Sequence, residues 1–356
     1  MNMTWSKMKK VVCIIFLGWF CATCDEESMK QELLEKSNVY LSAAITRPLT
    51  SKISYELETP TQEQPLYASV WASDVSCNYP DEGKSGREED NGEVAVHTSV
   101  RFESGSPQLL DAVIYPQKDV ISNLYPSVYF IGLYPKAETW KVDGDSKKAQ
   151  FRFTGKEDVM FAPEISGNYG IAYENSPEFR FRHLLTLLKV KMIAENEEVM
   201  GVWGKIESIR ITSHDQVSID LSKVYDAASC LTYTNATTLP FYRKGSDDVF
   251  SGYTLEYRSS ELEHPVEVAY VMCSPVVATD KGVAPLAEYT LTIQTDKRRV
   301  DLPVDLKKSV DTHFVGSTRG VCFTLNLIFK MGNTIAVHSE INDWEFSGFG
   351  NENLTE

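Results

Sequence analysis

The chain has 356 residues, of which 42% are hydrophobic and 11% aromatic, and its formal net charge is −15 at pH 7. These proportions exclude a disordered chain, because enough apolar side chains are present to form packed cores. The acidic balance excludes general nucleic-acid binding, since a negative surface repels phosphate backbones and anionic lipid headgroups. A chain of this length predicts two domains.

The first 23 residues have the pattern of a signal peptide. Lys7, Lys9 and Lys10 precede the apolar run VVCIIFLGWFC, and the small residues Ala22 and Thr23 follow it. A run of about eleven residues is shorter than the roughly 20 that cross a bilayer as a permanent helix, so we expect its removal. The remaining chain has 32 basic and 50 acidic residues, a net charge of −18.

Cys24 directly follows the predicted cleavage site. This arrangement resembles the lipobox of bacterial lipoproteins, in which the thiol is alkylated with diacylglycerol, although Cys21 stands where Leu is usual. Two or three acyl chains anchor a protein firmly, since each buried CH₂ contributes about 0.8 kcal/mol. The sequence therefore predicts lipidation at Cys24, with an ordinary secretory leader as the alternative. The C-x-x-C spacing of the two cysteines lacks the context of a redox pair or a zinc site.

Residues 24–37 are polar and predict a tether or one short helix. From residue 38 the hydrophobic pattern has a period of two, which indicates half-buried strands. The first strand is predicted at 38–46. Further strands separated by turn signals are predicted at 66–73, 93–102, 108–115, 127–135 and 149–155. No long amphipathic run intervenes, which favours antiparallel sheets packed as a sandwich.

A second series of strands follows the segment 163–178, which is rich in Gly, Pro, Asn and Glu and is the best candidate for a linker. The predicted strands of this series are 181–195, 205–212, 217–221, 266–273, 289–295, 321–329 and 334–344. We therefore predict an N-terminal β-sandwich domain at 38–175 and a C-terminal one at 176–356.

Candidate chemistry is sparse along the chain. The four cysteines outside the leader and its lipobox are Cys77, Cys230, Cys273 and Cys322, and disulfides and buried free thiols both stay open. The six histidines have no metal-ligand spacing, and His183 and His338 fall in predicted strands as structural groups. No nucleophile elbow or phosphate loop is present. The sequence predicts no enzyme, no cofactor and no metal site.

Four stretches together resemble the fimbrillin family, including the Mfa-like proteins, of Gram-negative anaerobes. The stretches are VYFIGLYPKAETW (128–140), FRFTGKEDVMFAP (151–163), FRHLLTLLKVKM (181–192) and IAVHSEINDW (335–344). The resemblance implies two antiparallel β-sandwich domains of transthyretin-like, Greek-key topology, exported as a lipoprotein and built into surface fimbriae. It further implies donor-strand exchange between subunits after an Arg-directed protease removes the first strand.

Arg47 follows the predicted first strand, where the cut implied by the resemblance falls. Pro48 follows Arg47, and a proline after the scissile bond hinders most proteases because it lacks an N–H and restricts the chain. An uncut chain is more naturally an anchor that keeps its lipid, or a tip-type accessory subunit. At the other end, 334–344 is either a donor strand or the last strand of its own domain.

These observations predict a non-enzymatic fimbrial subunit on the outer membrane surface, with other fimbrial subunits as partners and a contribution to adhesion. The alternative is a surface lipoprotein that binds glycans or host protein, since aromatic side chains on one face can stack on sugars. The candidates for such a platform are Trp71, Trp140, Trp203 and Trp344. Aromatic side chains of a sandwich are more often part of the core.

Overall fold

A computed structural model of the chain describes residues 38–39, 42–45, 66–73, 76–79, 97–103, 106–109, 113–114, 127–135, 140–143, 146–168, 178–226, 229–246, 248–258, 265–276, 289–304, 306 and 319–342. In these ranges the structure is almost entirely β, which confirms the predicted fold class. The predicted signal peptide and tether lie outside the described residues.

The first half contributes most of a seven-stranded sheet and a two-stranded one. Its strands are β1 (Asn38–Val39), β2 (Ser42–Ile45), β3 (Leu66–Ser73), β4 (His97–Glu103), β5 (Ser106–Leu109), β6 (Val113–Ile114), β7 (Ser127–Tyr134), β8 (Lys141–Asp143), β9 (Lys148–Arg152) and β10 (Met160–Asn168). With β11 (Glu178–His183), the seven-stranded sheet has the order β2-β11-β10-β7-β3-β4-β5, and β1 pairs with β6. All these pairs are antiparallel except β2 with β11.

The described part of the second half contributes ten further strands, one short α-helix and a 3-10 helix at Met331–Asn333. The strands are β12 (Thr186–Ala194), β13 (Lys205–Asp220), β14 (Leu231–Pro240), β15 (Tyr242–Arg243), β16 (Tyr253–Thr254), β17 (Val266–Cys273), β18 (Tyr289–Thr295), β19 (Arg299–Val304), β20 (Cys322–Phe329) and β21 (Ile335–Asn342). One sheet has the order β15-β17-β12-β20-β21, and the other follows β19-β18-β13-β9-β8, with β14 and β16 also paired to β13. The neighbours β12 and β20 are parallel.

Strand pairing crosses the predicted domain boundary in both directions. β9 precedes residue 175 but pairs with β13, whereas β11 follows that residue but pairs with β10 and β2. The first part of the linker predicted at 163–178 is a strand instead, because residues 163–168 belong to β10 and residues 165–168 pair with β7. The cause is that Gly, Pro and Asn in a strand give the local signature of a loop, although the backbone is paired.

Burial follows the alternation expected of sheets that face a core on one side. β18 alternates strictly between buried and half-buried residues, whereas eight of the nine residues in β12 are buried, so both of its faces are covered. A continuous cluster of buried apolar side chains includes Trp71 and Trp140 of the first half and Leu188 and Ile209 of the second. The two halves therefore share a core among the described residues.

Helix α1 (Glu197–Trp203) connects β12 to β13 and has well-formed ends. Asn196 caps its first turn, since its side-chain oxygen accepts a hydrogen bond of 3.0 Å from the backbone N–H of Val199. Its C-terminal end is held by Gly204, whose φ of 73° lies in the left-handed region that favours glycine. The sequence analysis missed this helix, because seven residues give too short a periodic pattern.

Most predicted strands are confirmed with shifted ends. The strands predicted at 205–212 and 217–221 form the single strand β13, and the segment 181–195 contains two strands, β11 and β12. Six strands were not predicted from the sequence, namely β8, β10, β14, β15, β16 and β19. Four of the ten residues of β14 are Thr and only one residue of the strand is buried, so it lacks the apolar face that defines a strand in sequence.

Candidate functional site

The strand predicted at 38–46 is split into two: β1 pairs with β6, and β2 lies at one end of the seven-stranded sheet. Within the described residues, β2 pairs only with β11, in parallel, from Ser42 opposite Glu178 to Ile45 opposite Phe181. Cα atoms of β2 also approach those of β5, the opposite end of the same sheet, to within 8 Å. The sheet therefore curls back on itself, and β2 is one of its two end strands, so its release breaks one ladder of backbone hydrogen bonds.

The two residues predicted to be modified, Cys24 and Arg47, lie outside the described residues. Arg47 comes two residues after Ile45, the last residue of β2. A cut after Arg47 therefore separates both β1 and β2 from the rest of the chain. None of the helices in the described ranges has the length and apolarity needed to cross a membrane.

The last described strand belongs to its own sheet. β21 pairs with β20 along its whole length, from Ile335 opposite Phe329 to Asn342 opposite Cys322. Ile335 and Val337 pack against the buried core. Of the two alternatives for 334–344, the structure shows the last strand of a domain.

A carboxylate at the contact between the two halves gathers three donors. Glu164 of β10 accepts hydrogen bonds from Ser76 Oγ (2.6 Å), the Cys77 backbone N–H (2.8 Å) and Tyr79 OH (2.7 Å). Its own backbone N–H donates to the Val224 carbonyl oxygen at 3.0 Å. Burial, together with this bond to Glu164, raises the pKa of Tyr79 above its ordinary value. We call this group the Glu164 clamp; nothing in the sequence pattern indicated it.

Two of the histidines in the described ranges, His183 and His214, lie within hydrogen-bonding distance of a partner. His183 is buried, and its Nδ1 lies 2.9 Å from Asp158 Oδ2, which confirms the prediction of a partnered side chain. His214 Nδ1 lies 3.3 Å from Ser274 Oγ, and burial lowers the pKa of His214. His338 is exposed on β21, and only the backbone of His97 is described, in β4. His264 and His313 lie outside the described residues, in which no group of three or more His, Cys, Asp and Glu could hold a metal ion.

All four described cysteines are free thiols, which settles the alternatives left open by the sequence. Cys230, Cys273 and Cys322 are buried, and Cys77 is half-buried. Burial raises the pKa values of Cys230 and Cys273 to about 12. Such thiols carry almost no thiolate at neutral pH and behave as small apolar groups.

The tryptophans do not form the predicted sugar-binding platform in the part of the chain that the structure describes. Trp71, Trp140 and Trp203 are only 1%, 1% and 0% exposed, so they belong to the core. Trp344 lies outside the described residues. Tyr225 is the one large aromatic side chain that is well exposed among those described.

Comparisons with known proteins give distant structural likenesses. No family model and no curated protein sequence matches the chain. A protein from Bacteroides uniformis, provisionally described as a cell adhesion protein, is 12% identical with a TM-score of 0.48, over 86% of this chain and 98% of that one. The fimbrial anchor protein Mfa2 from Porphyromonas gingivalis is 11% identical with a TM-score of 0.40, over 86% and 97% of the two chains.

A further similar structure, from Bacteroides ovatus and provisionally described as an adhesin, is 8% identical with a TM-score of 0.44, over 86% and 95% of the two chains. At such identities and TM-scores, the likeness is too distant to carry a conclusion about this chain.

Proposed function

We propose that this chain is a lipid-anchored subunit of surface fimbriae, which joins its neighbours by exchange of a β-strand and so contributes to adhesion. The observation that supports the proposal is the place of β2. β2, the second part of the first strand predicted after the tether, is an end strand of its sheet, and it pairs in parallel with β11.

An end strand has the physical properties that strand exchange needs. Release of β2 exposes the backbone N–H and C=O groups of β11 on one edge, and unpaired groups of this kind are satisfied by a strand from another chain. Phe181 of β11 is buried at the last position opposite β2. An incoming strand therefore restores both backbone pairing and apolar contact.

The proposed lipid anchor depends on the signal peptide and on Cys24, which directly follows it. Lipidation of Cys24 holds the precursor on the outer membrane by its acyl chains, while residues 24–37 act as the tether. A cut after Arg47 frees the chain from this lipid and removes β1 and β2 together. A chain that stays uncut, because Pro48 blocks the protease, keeps its lipid and acts as an anchor or a tip subunit.

The decisive experiment locks β2 in place. Ala44 and Arg180 are opposite each other in the parallel pair of β2 and β11, so an A44C/R180C variant is expected to form a disulfide between the two strands. In the native host, we expect few filaments containing this variant under oxidising conditions, and normal filaments after a reductant is added during assembly. The two single substitutions serve as controls.

A second lock separates exchange at β2 from exchange at the other end of the chain. Ile328 and Ala336 are opposite each other in β20 and β21, and an I328C/A336C disulfide holds β21 in its own sheet. We expect normal filaments from this variant. Normal filaments from the β2 lock, with its disulfide shown to be formed, would overturn the proposed exchange.

The N-terminus of protein taken from filaments tests the processing. A start at Pro48 supports the cut after Arg47, whereas a lipid-blocked Cys24 supports an anchor or tip role. A start at Asp25 contradicts both lipidation and the cut. The same sample from a Cys24→Ala strain should contain no fatty acid.

A further inference from the structure

β14 is a long strand that has one neighbour in the described structure. It runs for ten residues, Leu231–Pro240, and among the described residues it pairs only with β13. An edge strand turns about half of its backbone N–H and C=O groups away from its single neighbour, and these groups pair readily with a strand of another chain. We call this side of the strand the β14 edge.

The other edge strands in the described part of the chain are protected against such pairing. β19 has three exposed residues that are charged or proline, Arg299, Asp301 and Pro303. β8 is three residues long, and β21 carries exposed Glu340. The remaining edge strands, β1, β2, β5, β6, β15 and β16, have two to four residues. Charge, proline and shortness are the usual devices by which proteins prevent contact between sheet edges.

The β14 edge lacks these devices. None of its ten residues is charged, and its one proline, Pro240, is the last residue. Four of the ten are Thr, which favours extended backbone. The exposed residues are Thr232, Thr234, Asn235, Ala236 and Thr238. An uncharged exposed strand of this length contrasts with the whole chain, 24% of which is charged.

Asn235 is the irregular residue of β14, but it does not turn the edge away. Its φ of 65° lies in the left-handed region, which Asn adopts more readily than most residues. Its side chain is fixed, because Nδ2 donates a hydrogen bond to Asp215 Oδ1, while Arg152 donates to Asp215 Oδ2 at 2.8 Å. The register with β13 is the same on both sides of Asn235, so no extra residue forms a bulge.

Charge and symmetry favour a second copy of this chain as the partner. The chain has a net charge of −15, so most surfaces of two copies repel each other, whereas two uncharged strands can approach without this cost. Two identical edges related by a two-fold axis are self-complementary, since each supplies the donors and acceptors that the other needs. Exposed Thr232 and Thr234 are then available for cross-strand contacts between threonines, which stabilise antiparallel pairs.

We propose that two copies of this chain pair through the β14 edge, antiparallel about a two-fold axis. The pairing joins the two sheets that contain β13 into one continuous sheet. β14 belongs to the second half of the chain and β2 to the first, so this contact is separate from the proposed strand exchange. A subunit can therefore contact one copy through β2 and another through β14.

Sedimentation equilibrium of the full-length protein in excess mild detergent tests the pairing. We expect the protein mass to rise with concentration from one chain to two. A T232K/T234K variant brings ammonium groups of the two copies together, so we expect it to keep the mass of one chain. Glu207→Lys is the matched control, because it shifts the net charge equally at an exposed residue of β13, and it should dimerise like the wild type.

Hydrogen exchange locates the contact. The backbone amides of β14 should exchange more slowly at concentrations where the dimer forms than in dilute protein, whereas those of β19 should exchange at the same rate in both. The A44C/R180C variant should dimerise like the wild type. Failure of strand exchange and failure of this pairing are thus told apart.

Three results would overturn the proposal. The first is a wild-type protein that keeps the mass of one chain at every concentration. The second is a T232K/T234K variant that is folded by circular dichroism and still dimerises, since the contact then lies elsewhere. The third is slow exchange of the β14 amides in dilute protein at the mass of one chain, because another segment of the same chain then covers the edge.

Discussion

Tyr79 donates a hydrogen bond of 2.7 Å from its hydroxyl to Oε2 of Glu164, and this bond connects the segment after β3 to β10. Because Glu164 also binds the carbonyl oxygen of Val224 through its backbone N–H, the same residue connects both halves of the chain. At Glu164 the side chain therefore ties two segments of the first half together, and the backbone of the same residue contacts the second half.

Loss of the tyrosine hydroxyl should weaken the clamp without leaving a cavity. We expect Tyr79→Phe to lower the free energy of unfolding by about 1–3 kcal/mol, since a buried hydrogen bond to a charged group is lost. Chemical denaturation measures the change. Tyr225→Phe, at a tyrosine that is 68% exposed, is the control and should leave stability unchanged. An equal effect of the two substitutions would show that the hydroxyl bond contributes nothing.

The buried lysine of β12 makes stability depend on pH. In an unfolded chain a lysine has a pKa near 10.4, whereas that of Lys189 is about 8 in the folded protein. The folded state thus binds fewer protons between about pH 8 and pH 10.4, and the contribution of Lys189 to stability rises with pH across this window. Below about pH 8, burial of the charged Lys189 lowers the free energy of unfolding of the wild-type protein by about 3 kcal/mol.

Lys189→Met keeps the volume and removes the charge. We expect the difference in unfolding free energy between this variant and the wild type to favour the variant most below pH 8. The difference should shrink toward about pH 10.4 as the lysine loses its proton in both states. Urea denaturation across this range measures it. Lys141→Met, at an exposed lysine, should show no such trend, and a constant difference for Lys189→Met would contradict the prediction.

Substitution by alanine at two glycines, one inside helix α1 and one at its C-terminal end, should change the free energy of unfolding in opposite directions. Gly204 has a φ of 73°, and an added Cβ there would collide with the carboxylate of Asp296. We expect Gly204→Ala to lower the free energy of unfolding by about 2–3 kcal/mol, from left-handed strain plus the collision. Gly201 lies inside the helix with open space around it, so Gly201→Ala should raise stability by about 0.5–1 kcal/mol. Thermal unfolding of both variants provides the comparison.

The cysteines should differ in their reaction with a thiol reagent. In the folded protein we expect Cys77 to react, because it is half-buried, and Cys230, Cys273 and Cys322 to react only after unfolding. Mass spectrometry of alkylated peptides assigns each site. Labelling without a reductant should equal labelling with one at all four positions. A thiol that appears only after reduction would reveal a disulfide and contradict the free state.

The candidate site was predictable in part. Lys189 and Lys191 mark β12 as a strand in the sequence, yet alternation alone places both on a solvent-exposed face, and the structure buries Lys189 completely. The clamp at Glu164 was not predictable, because its donors lie more than 80 residues away along the chain. The tryptophans show the reverse case, since their size alone favoured the core position that three of them have.

The sequence by itself determined where most strands lie, because alternation with a period of two is local and is set by which side chains avoid water. It also determined the leader pattern that ends at Cys24, which is read from adjacent residues. Only the tertiary structure decided that β2 pairs in parallel with β11, that β9 pairs with β13 across the expected boundary, and that Lys191 is opposite both Asn326 and Glu267. Strand partners are far apart along the chain, and a pattern with the same period in every strand does not specify which edges meet.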